Sequence, residues 1–464
     1  MLATNGIRKL YLYFLKQKTM RNFYQLLINN VIGALANMTV WFALTFFAYL
    51  QTNSVIATSV MSGVYLITVA FTSIWFGGLV DKYNKKLIMI ISSCISLVIF
   101  ILGFIIYVLA PAESFKNINN PIFWVFIILI LFGVLAGNLR GIAIPTIVPM
   151  LVPKDKLDKA NGLVGTSSGI AFLVVSVISG FLVSINGMFW ALLIPIIITL
   201  GTILHLQFLK LPEPVKEQNN NSEPEANSTD ANLKSLDIKG TIKIIKQTPG
   251  LFPLIFFTTF NNFLGGVFMS LMDAYGLSLV DVRVWGLLWG FLSLAFMVGG
   301  TLIATRGLGK NPVKTLFLAN SVIWFVSAIF TLQPSIILFA IGAFVYLTIV
   351  PFIEASEHTI IQKVVPQDRL GRVFGFSQSI EQAASPLMAF AIGPITQLIF
   401  IPFMRDGGNG ANLIGSWFGT GDGRGIALVF TIAGVIGLIA TLIAWRGKYY
   451  KLLSNRYAEL SANS

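Results

Sequence analysis

Charged residues and cysteine are scarce in this sequence. Only 11% of its 464 residues are charged, and it contains one cysteine, Cys94, and two histidines, His205 and His358. One cysteine excludes an intrachain disulfide and a cysteine-built metal site, and two histidines on distant segments give no basis for a histidine-built one. A nucleotide-binding loop of the Gly-x-x-x-x-Gly-Lys-Ser/Thr type is also missing. The sequence therefore predicts no cofactor, no metal and no enzymatic chemistry.

Apolar residues dominate instead. They make up 55% of the chain, and they recur in runs of roughly 20 to 28 residues, long enough as helices to cross a hydrocarbon core of about 30 Å. The period-two alternation of a membrane β-barrel is absent. The runs predict an all-α integral membrane protein with twelve transmembrane helices, six before and six after a polar interval. They lie near 24–50, 54–79, 87–110, 121–151, 162–184, 187–209, 251–276, 284–304, 313–333, 335–361, 373–402 and 425–446.

Positive charge is distributed unevenly between the two sides of the predicted bundle. With a cytoplasmic N-terminus, the inner segments hold 27 of the 32 Lys and Arg residues and the outer loops hold four. This asymmetry follows the positive-inside rule and predicts a multi-pass protein of the plasma or inner membrane with both termini in the cytoplasm. It also explains the net charge of +13 without nucleic acid, and membrane lipids are the expected partner of the inner face.

An internal repeat divides the chain. Residues 152–163 align without gaps with residues 365–376, and five of the twelve positions are identical. Both segments follow the fourth span of their half, which predicts duplicated bundles of the kind found in transporters. We therefore predict an N-terminal bundle with its cytoplasmic segment (1–209), a cytoplasmic linker (210–250) with a short helix over 238–245, and a C-terminal bundle with a cytoplasmic tail (251–464).

The loop between spans 2 and 3 reads Gly77-Gly-Leu-Val-Asp81-Lys82-Tyr-Asn84-Lys85-Lys86. It resembles the signature loop of the major facilitator superfamily, with Asn84 in place of the usual glycine. The resemblance implies two pseudo-symmetric six-helix bundles that alternate access to a central site. It also implies that Asp81, at the end of a span, latches one conformation on helix N-terminal amides. For Lys82, Lys85 and Lys86, simple topology signals are an equal alternative.

Within that superfamily, residues 152–163 and 414–430 resemble bacterial multidrug and macrolide efflux members. The Gly-Pro fingerprint of drug antiporters on span 5 is degraded here to Val175-Ser-Val-Ile-Ser-Gly180. The resemblance implies a monomeric, proton-coupled exporter of hydrophobic or amphipathic small molecules. Export or flipping of an endogenous lipid, siderophore or peptide is the alternative within the class, and a passive channel or membrane enzyme is the alternative outside it.

A few ionisable residues lie inside predicted spans, where they are costly and commonly functional. Arg140 lies on span 4, and Glu354, Glu357 and His358 lie on span 10 at helical spacings of three and four. In the family that the chain resembles, spans 1, 4, 7 and 10 line the cavity. An ion pair between Arg140 and Glu354 or Glu357 would then serve either proton coupling or static pinning of two helices.

Other polar residues in the spans are candidates with two interpretations each. Asp273, near the outer end of span 7, is a cavity gate or an interface residue, and Glu381 on span 11 contacts the Asp81 loop or solvent. Five asparagines are expected to face the bundle, where they contact substrate or join helices by hydrogen bonds. They are Asn29, Asn30 and Asn37 on span 1 and Asn261 and Asn262 on span 7.

Overall fold

The computed structural model describes residues 2–52, 55–211, 238–280 and 282–462. These residues form helices joined by short turns, with no strand among them. The helices are α1 (Leu2–Thr52), α2 (Val55–Lys82), α3 (Lys85–Leu109), α4 (Pro121–Leu151), α5 (Leu157–Asn186), α6 (Met188–Phe208), α7 (Ile238–Gln247), α8 (Leu251–Leu279), α9 (Val282–Arg306), α10 (Pro312–Ile329), α11 (Ile336–Val364), α12 (Leu370–Ile395), α13 (Ile401–Met404), α14 (Asn409–Phe418), α15 (Asp422–Arg446) and α16 (Lys448–Ala462).

Twelve helical segments in the described part of the chain are long and apolar enough to cross a membrane. They coincide with the twelve predicted runs, with ends that shift by a few residues in most cases. The short helix expected in the linker is also present as α7. The preceding acidic and asparagine-rich part of the linker lies in 212–237, outside the described residues.

Capping residues and glycines determine where several helices begin. Asn84 accepts a hydrogen bond from the Leu87 amide at 3.1 Å, so the residue that replaces the glycine of the signature loop serves as the N-cap of α3. Asn120 caps α4 in the same way. Gly187, at φ +53°, separates α5 from α6, a backbone conformation that residues with a side chain rarely adopt.

The chain divides into two compact units. The first contains residues 1–160, 170–241 and 365–375, and the second contains 161–169, 242–364 and 376–464. In the first unit Phe47, Phe115 and Phe126 stack edge to face, with ring centroids 5.3 to 5.9 Å apart. In the second unit, Phe268 stacks on Phe430 at 5.0 Å. Each unit therefore has its own aromatic core.

The internal repeat has the same backbone in both copies. Pro153 and Pro366 have φ/ψ of −57°/144° and −58°/143°, and each is followed by a single 3-10 turn that leads into a long helix. The Lys156 amide donates to the Pro153 carbonyl at 2.9 Å, and the Arg369 amide donates to the Pro366 carbonyl at 3.0 Å. The sequence identity between the two segments thus corresponds to structural identity at the entrances of α5 and α12.

Candidate functional site

A pair of carboxylates, one buried and one half-buried, lies in the second unit, where α8, α11 and α12 meet. Glu381 accepts hydrogen bonds from Ser377 Oγ at 2.7 Å and Thr258 Oγ1 at 3.0 Å. Glu357 Oε1 lies 3.3 Å from Ser377 Oγ and 3.4 Å from Thr258 Oγ1. The two carboxylates thus share the same two hydroxyl donors. Since a hydroxyl has one proton, each donor can satisfy only one of the carboxylates at a time.

Glu381 is half-buried, so part of it stays accessible to solvent, one of the two surroundings that the sequence suggested. The sequence did not suggest its hydrogen-bond partners, which are Ser377, one turn earlier on α12, and Thr258 on α8. Sequence periodicity places Ser377 and Glu381 on one face of α12 but contains no information about which helix that face meets. The packing of three helices supplies that information.

The three candidate residues Glu354, Glu357 and His358 of α11 differ in their surroundings. Glu357 is buried, His358 is half-buried and Glu354 is exposed. Helical spacing allowed all three on one face, and the structure instead turns Glu357 inward toward α8 and α12 while Glu354, one turn earlier, stays accessible. Glu354 is thus the accessible carboxylate of this helix and Glu357 the packed one.

Arg140 lies at the centre of a second polar network, in the first unit. It is buried; its Nη2 donates to Asn29 Oδ1 and its Nη1 donates to Ser93 Oγ at 3.3 Å. Asn29 Nδ2 in turn donates to the Thr202 carbonyl at 2.9 Å and lies 3.0 Å from His205 Nδ1. In the described residues of the first unit, Arg140 thus has neutral partners and no acidic one.

The ion pair suggested between Arg140 and Glu354 or Glu357 would join the two units, and it stays a prediction. Arg140 lies against Gly33 of α1: a Cβ atom added to that glycine would be 2.6 Å from Nη1. The absence of a side chain at Gly33 therefore makes room for the guanidinium between α1 and α4.

The remaining asparagines mainly join helices. Asn37 Nδ2 donates to the Val134 carbonyl at 3.1 Å, and Trp324 Nε1 donates to Asn261 Oδ1 at 2.5 Å. Asn30 is half-buried, and Asn262 is exposed while its amide donates to the Thr258 carbonyl one turn back. Of the five, Asn262 is the one that is exposed, and Asn29 is the one that is buried.

The signature loop is held by backbone contacts within the first unit. Asp81 Oδ1 accepts from the Gly371 amide at 2.7 Å and Asp81 Oδ2 from the Arg372 amide at 2.8 Å, at the beginning of α12. These are the helix N-terminal hydrogen bonds that the motif implied. A Cβ atom on Gly77 would lie 2.3 Å from the Gly371 carbonyl oxygen, so α2 and α12 approach backbone to backbone there. A side chain at Gly77 would separate them.

The lysines of the loop have separate partners. Lys85 is buried and its Nζ donates to the Val80 carbonyl at 3.2 Å, while Nζ of the half-buried Lys86 donates to the Gln207 carbonyl at 2.7 Å. The Nζ of Lys82 lies 5.2 Å from the centroid of the Tyr83 ring. Their contacts anchor the loop to α2 and α6.

Asp273 is bracketed by two tryptophans of α9. Its Oδ1 accepts from Trp285 Nε1 at 3.0 Å and from Trp289 Nε1 at 3.2 Å. Sequence reasoning singled out Asp273 but missed both tryptophans, as it missed Gly33, Ser93, Thr258 and Ser377. The available signal was the i, i+4 spacing of Trp285 and Trp289 on the span after an in-span carboxylate.

No group of three or more His, Cys, Asp or Glu side chains that could hold a metal occurs in the described part of the chain.

The model of the Major Facilitator Superfamily matches residues 26–389. The chain belongs to the major facilitator superfamily. Since the family consists of transporters, the protein is a multi-pass membrane transporter of small molecules rather than an enzyme.

Relatives and solved structures agree with this membership. The chain is 22% identical over 381 residues to macrolide efflux protein A of Streptococcus pyogenes, covering 79% of this chain and 87% of the relative. It is 24% identical over 327 residues to macrolide efflux protein A of Enterococcus faecalis, covering 67% and 92%. The proton:xylose symporter XylE has a TM-score of 0.63 at 14% identity, over 96% of this chain and 99% of that one, and shares the fold.

Proposed function

We propose that this major facilitator superfamily protein is a monomeric, proton-coupled exporter of hydrophobic or amphipathic compounds, working by alternating access. The observation that supports the proposal most directly is the carboxylate pair Glu357 and Glu381 on shared hydroxyl donors. Two negative charges in one partly buried site repel each other, and a proton kept on the pair removes that repulsion. The pair can therefore take up one proton and release it when its surroundings change.

Arg140 supplies a second element of the mechanism. A guanidinium buried among neutral donors and acceptors is costly, and the approach of a carboxylate offsets that cost. Glu354, the accessible carboxylate of α11, is the group we assign to this pairing. If the Arg140–Glu354 ion pair forms in one conformation of the transport cycle and breaks in another, the charge of Glu354 influences which conformation is favoured. This links substrate movement to the protonation of α11.

The direction of transport rests on the relatives. Both are named macrolide efflux proteins, which favours export over uptake and makes a macrolide the first substrate to test. Export driven by protons requires that protons enter the cell as the compound leaves.

The test uses inside-out proteoliposomes with an acidic lumen and labelled erythromycin or ethidium outside. The wild type is expected to accumulate the compound as protons leave the lumen. Glu357→Gln and Glu381→Gln should each lower gradient-driven accumulation about tenfold or more, because neutral amides cannot carry the proton. Compound exchange without a gradient should persist. Glu459→Gln, which removes an exposed carboxylate of α16, is the matched control and should transport normally.

Full gradient-driven accumulation in both glutamine variants would contradict the coupling role of the pair. Failure of the folded wild type to move either compound would contradict the drug-export proposal and redirect the search to lipids, siderophores and peptides.

The orientation is part of the proposal: we place the protein in the plasma membrane with both termini in the cytoplasm, because basic residues concentrate on that side. Cysteine introduced at Lys154 or at Lys116 in a Cys94→Ser background provides the test. An impermeant maleimide added to intact cells should label the Lys116 position alone, and the reverse labelling would overturn the orientation.

A further inference from the structure

The outer third of α8 carries a carboxylate whose partners are two indole groups. Asp273 Oδ1 accepts hydrogen bonds from Trp285 Nε1 at 3.0 Å and Trp289 Nε1 at 3.2 Å. Its second oxygen, Oδ2, has no hydrogen-bond partner among the residues that the structure describes. Asp273 is exposed, Trp289 is half-buried and Trp285 is buried. One carboxylate oxygen and part of one indole are thus accessible at the same place.

The ring of Trp285 is buried and has three close neighbours. A Cβ atom added to Gly276 would lie 2.2 Å from its ring, so the indole rests directly on the α8 backbone. Its ring centroid is 5.5 Å from Phe339 and 6.0 Å from Trp289, the latter at a T-shaped angle of 79°. The two N–H groups therefore converge on one oxygen from rings that are one helical turn apart on α9.

The indoles bind the carboxylate without neutralising it. An N–H group is an uncharged donor, so two of them add no positive charge beside Asp273. Asp422, at the outer end of α15, is different, because Arg405 binds it through two hydrogen bonds of 2.6 and 2.8 Å. None of the ion pairs within the described residues includes Asp273.

The nearby cation Arg424 forms its hydrogen bonds with other groups. Arg424 approaches the same end of α8, where its Nη1 lies 3.5 Å from the Tyr275 hydroxyl. However, its Nε donates to the Phe418 carbonyl at 2.6 Å and its Nη2 to the Leu332 carbonyl at 2.8 Å. Tyr275 is fully buried whereas Asp273 is exposed, so the two side chains leave α8 on different sides. Arg424 is therefore part of the core and supplies no counter-charge to Asp273.

We propose that Asp273, Trp285 and Trp289 form a recognition site for the positively charged head of an amphipathic organic cation, such as a protonated or quaternary amine. The carboxylate attracts the charge, and tryptophan is the aromatic side chain that binds cations best on its face. A metal ion would require several oxygen ligands, and this site offers a single free one. An in-span carboxylate is expected to face a water-filled path rather than lipid. This inference rests on the proposed function, since it names the substrate class of that transporter.

Equilibrium dialysis of labelled tetraphenylphosphonium against the purified full-length protein tests the proposal, because binding requires no gradient. Asp273→Asn should weaken binding of the cation about tenfold or more, while Asp273→Glu should restore most of it. Asp422→Asn is the matched control: it removes an outer carboxylate that is already paired, and binding should stay at the wild-type level. Triphenylphosphine oxide, an uncharged analogue, should bind the wild type and Asp273→Asn equally.

Two outcomes would overturn the inference: unchanged tetraphenylphosphonium affinity in a correctly folded Asp273→Asn protein, or an equal loss for the uncharged analogue. A Trp289→Phe variant provides a second test, because it keeps a ring and loses one N–H donor; binding equal to the wild type would likewise contradict a role for that indole. Glu357→Gln should still bind the cation. Loss of coupling in that variant with normal binding separates a failure of the transport mechanism from a failure of this site.

Discussion

The contact between Asp81 and the beginning of α12 allows a quantitative prediction. Asp81→Asn keeps the size of the side chain but removes its charge and turns one of its two acceptors into a donor. The Gly371 and Arg372 amides, at 2.7 and 2.8 Å, then compete for a single carbonyl oxygen. We expect α12 to separate from Asp81 more often in this variant.

The magnitude follows from the hydrogen bonds that are lost. A hydrogen bond to a charged group contributes roughly 1.5 to 3 kcal/mol, and Asp81→Asn loses one such bond and the charge assistance of the other. The expected loss is about 2 to 4 kcal/mol, which raises the opening equilibrium roughly 30- to 700-fold. The amides of Gly371 and Arg372 lie in the first turn of α12, where no intrahelical carbonyl can accept from them. Their protection from hydrogen exchange therefore depends on Asp81.

Hydrogen exchange measured by mass spectrometry over residues 365–375 gives the assay. The internal repeat provides a reference in the same sample, because Asp158 and Lys159 of α5 are equivalent to Gly371 and Arg372 of α12. There the Lys159 amide donates to the side chain of Asp158 at 2.8 Å and not to Asp81. Exchange there should not change. Asp155→Asn, which removes an exposed carboxylate from the repeat's first copy, is the control variant. Equal exchange of the 365–375 segment in wild type and Asp81→Asn would refute the reasoning.

Three further substitutions test contacts elsewhere. Gly33→Ala should displace the Arg140 guanidinium, because the new methyl would lie 2.6 Å from it, and should therefore lower transport. Gly141→Ala, where nothing lies within 4 Å of the added atom, should leave transport unchanged. Arg424→Lys loses the simultaneous hydrogen bonds to two carbonyls and should lower the free energy of unfolding by about 2 to 3 kcal/mol, which a lower melting temperature would report. Arg405→Lys, at an exposed ion pair, is the control and should leave the melting temperature unchanged. Asn161→Ala removes two 2.8 Å hydrogen bonds to α11 and should cost roughly 1 to 3 kcal/mol, so a melting temperature equal to that of the wild type would contradict it.

The helices of this protein are predictable from sequence because the bilayer imposes their length and polarity. A span must be apolar for about twenty residues, and its basic flanks must stay on the inner side. The repeated Val-Pro segments were equally readable, since Pro153 and Pro366 fix the same turn in both halves. The contact of Asp81 with helix N-terminal amides followed from a family motif rather than from periodicity.

The candidate sites were only partly predictable, because they depend on which helices pack together. Glu357 was selected as an in-span charge, but its pairing with Glu381 requires α11, α12 and α8 to meet through Ser377 and Thr258. A glycine outside any motif, such as Gly33, gave no signal at all. Its role is to leave space, and space is a property of the folded packing rather than of the chain.

The assignment of short segments to the two units has a practical consequence. Residues 161–169 come from the first half of the sequence but complete the second unit, and residues 365–375 from the second half complete the first. A chain cut in the linker would consequently yield two fragments, neither of which contains all the residues of either unit. Separately produced halves are therefore expected to need each other during folding. In a chimera that takes one half from a relative, each unit would contain a segment from the other protein, at the beginning of α5 in one unit and at the beginning of α12 in the other.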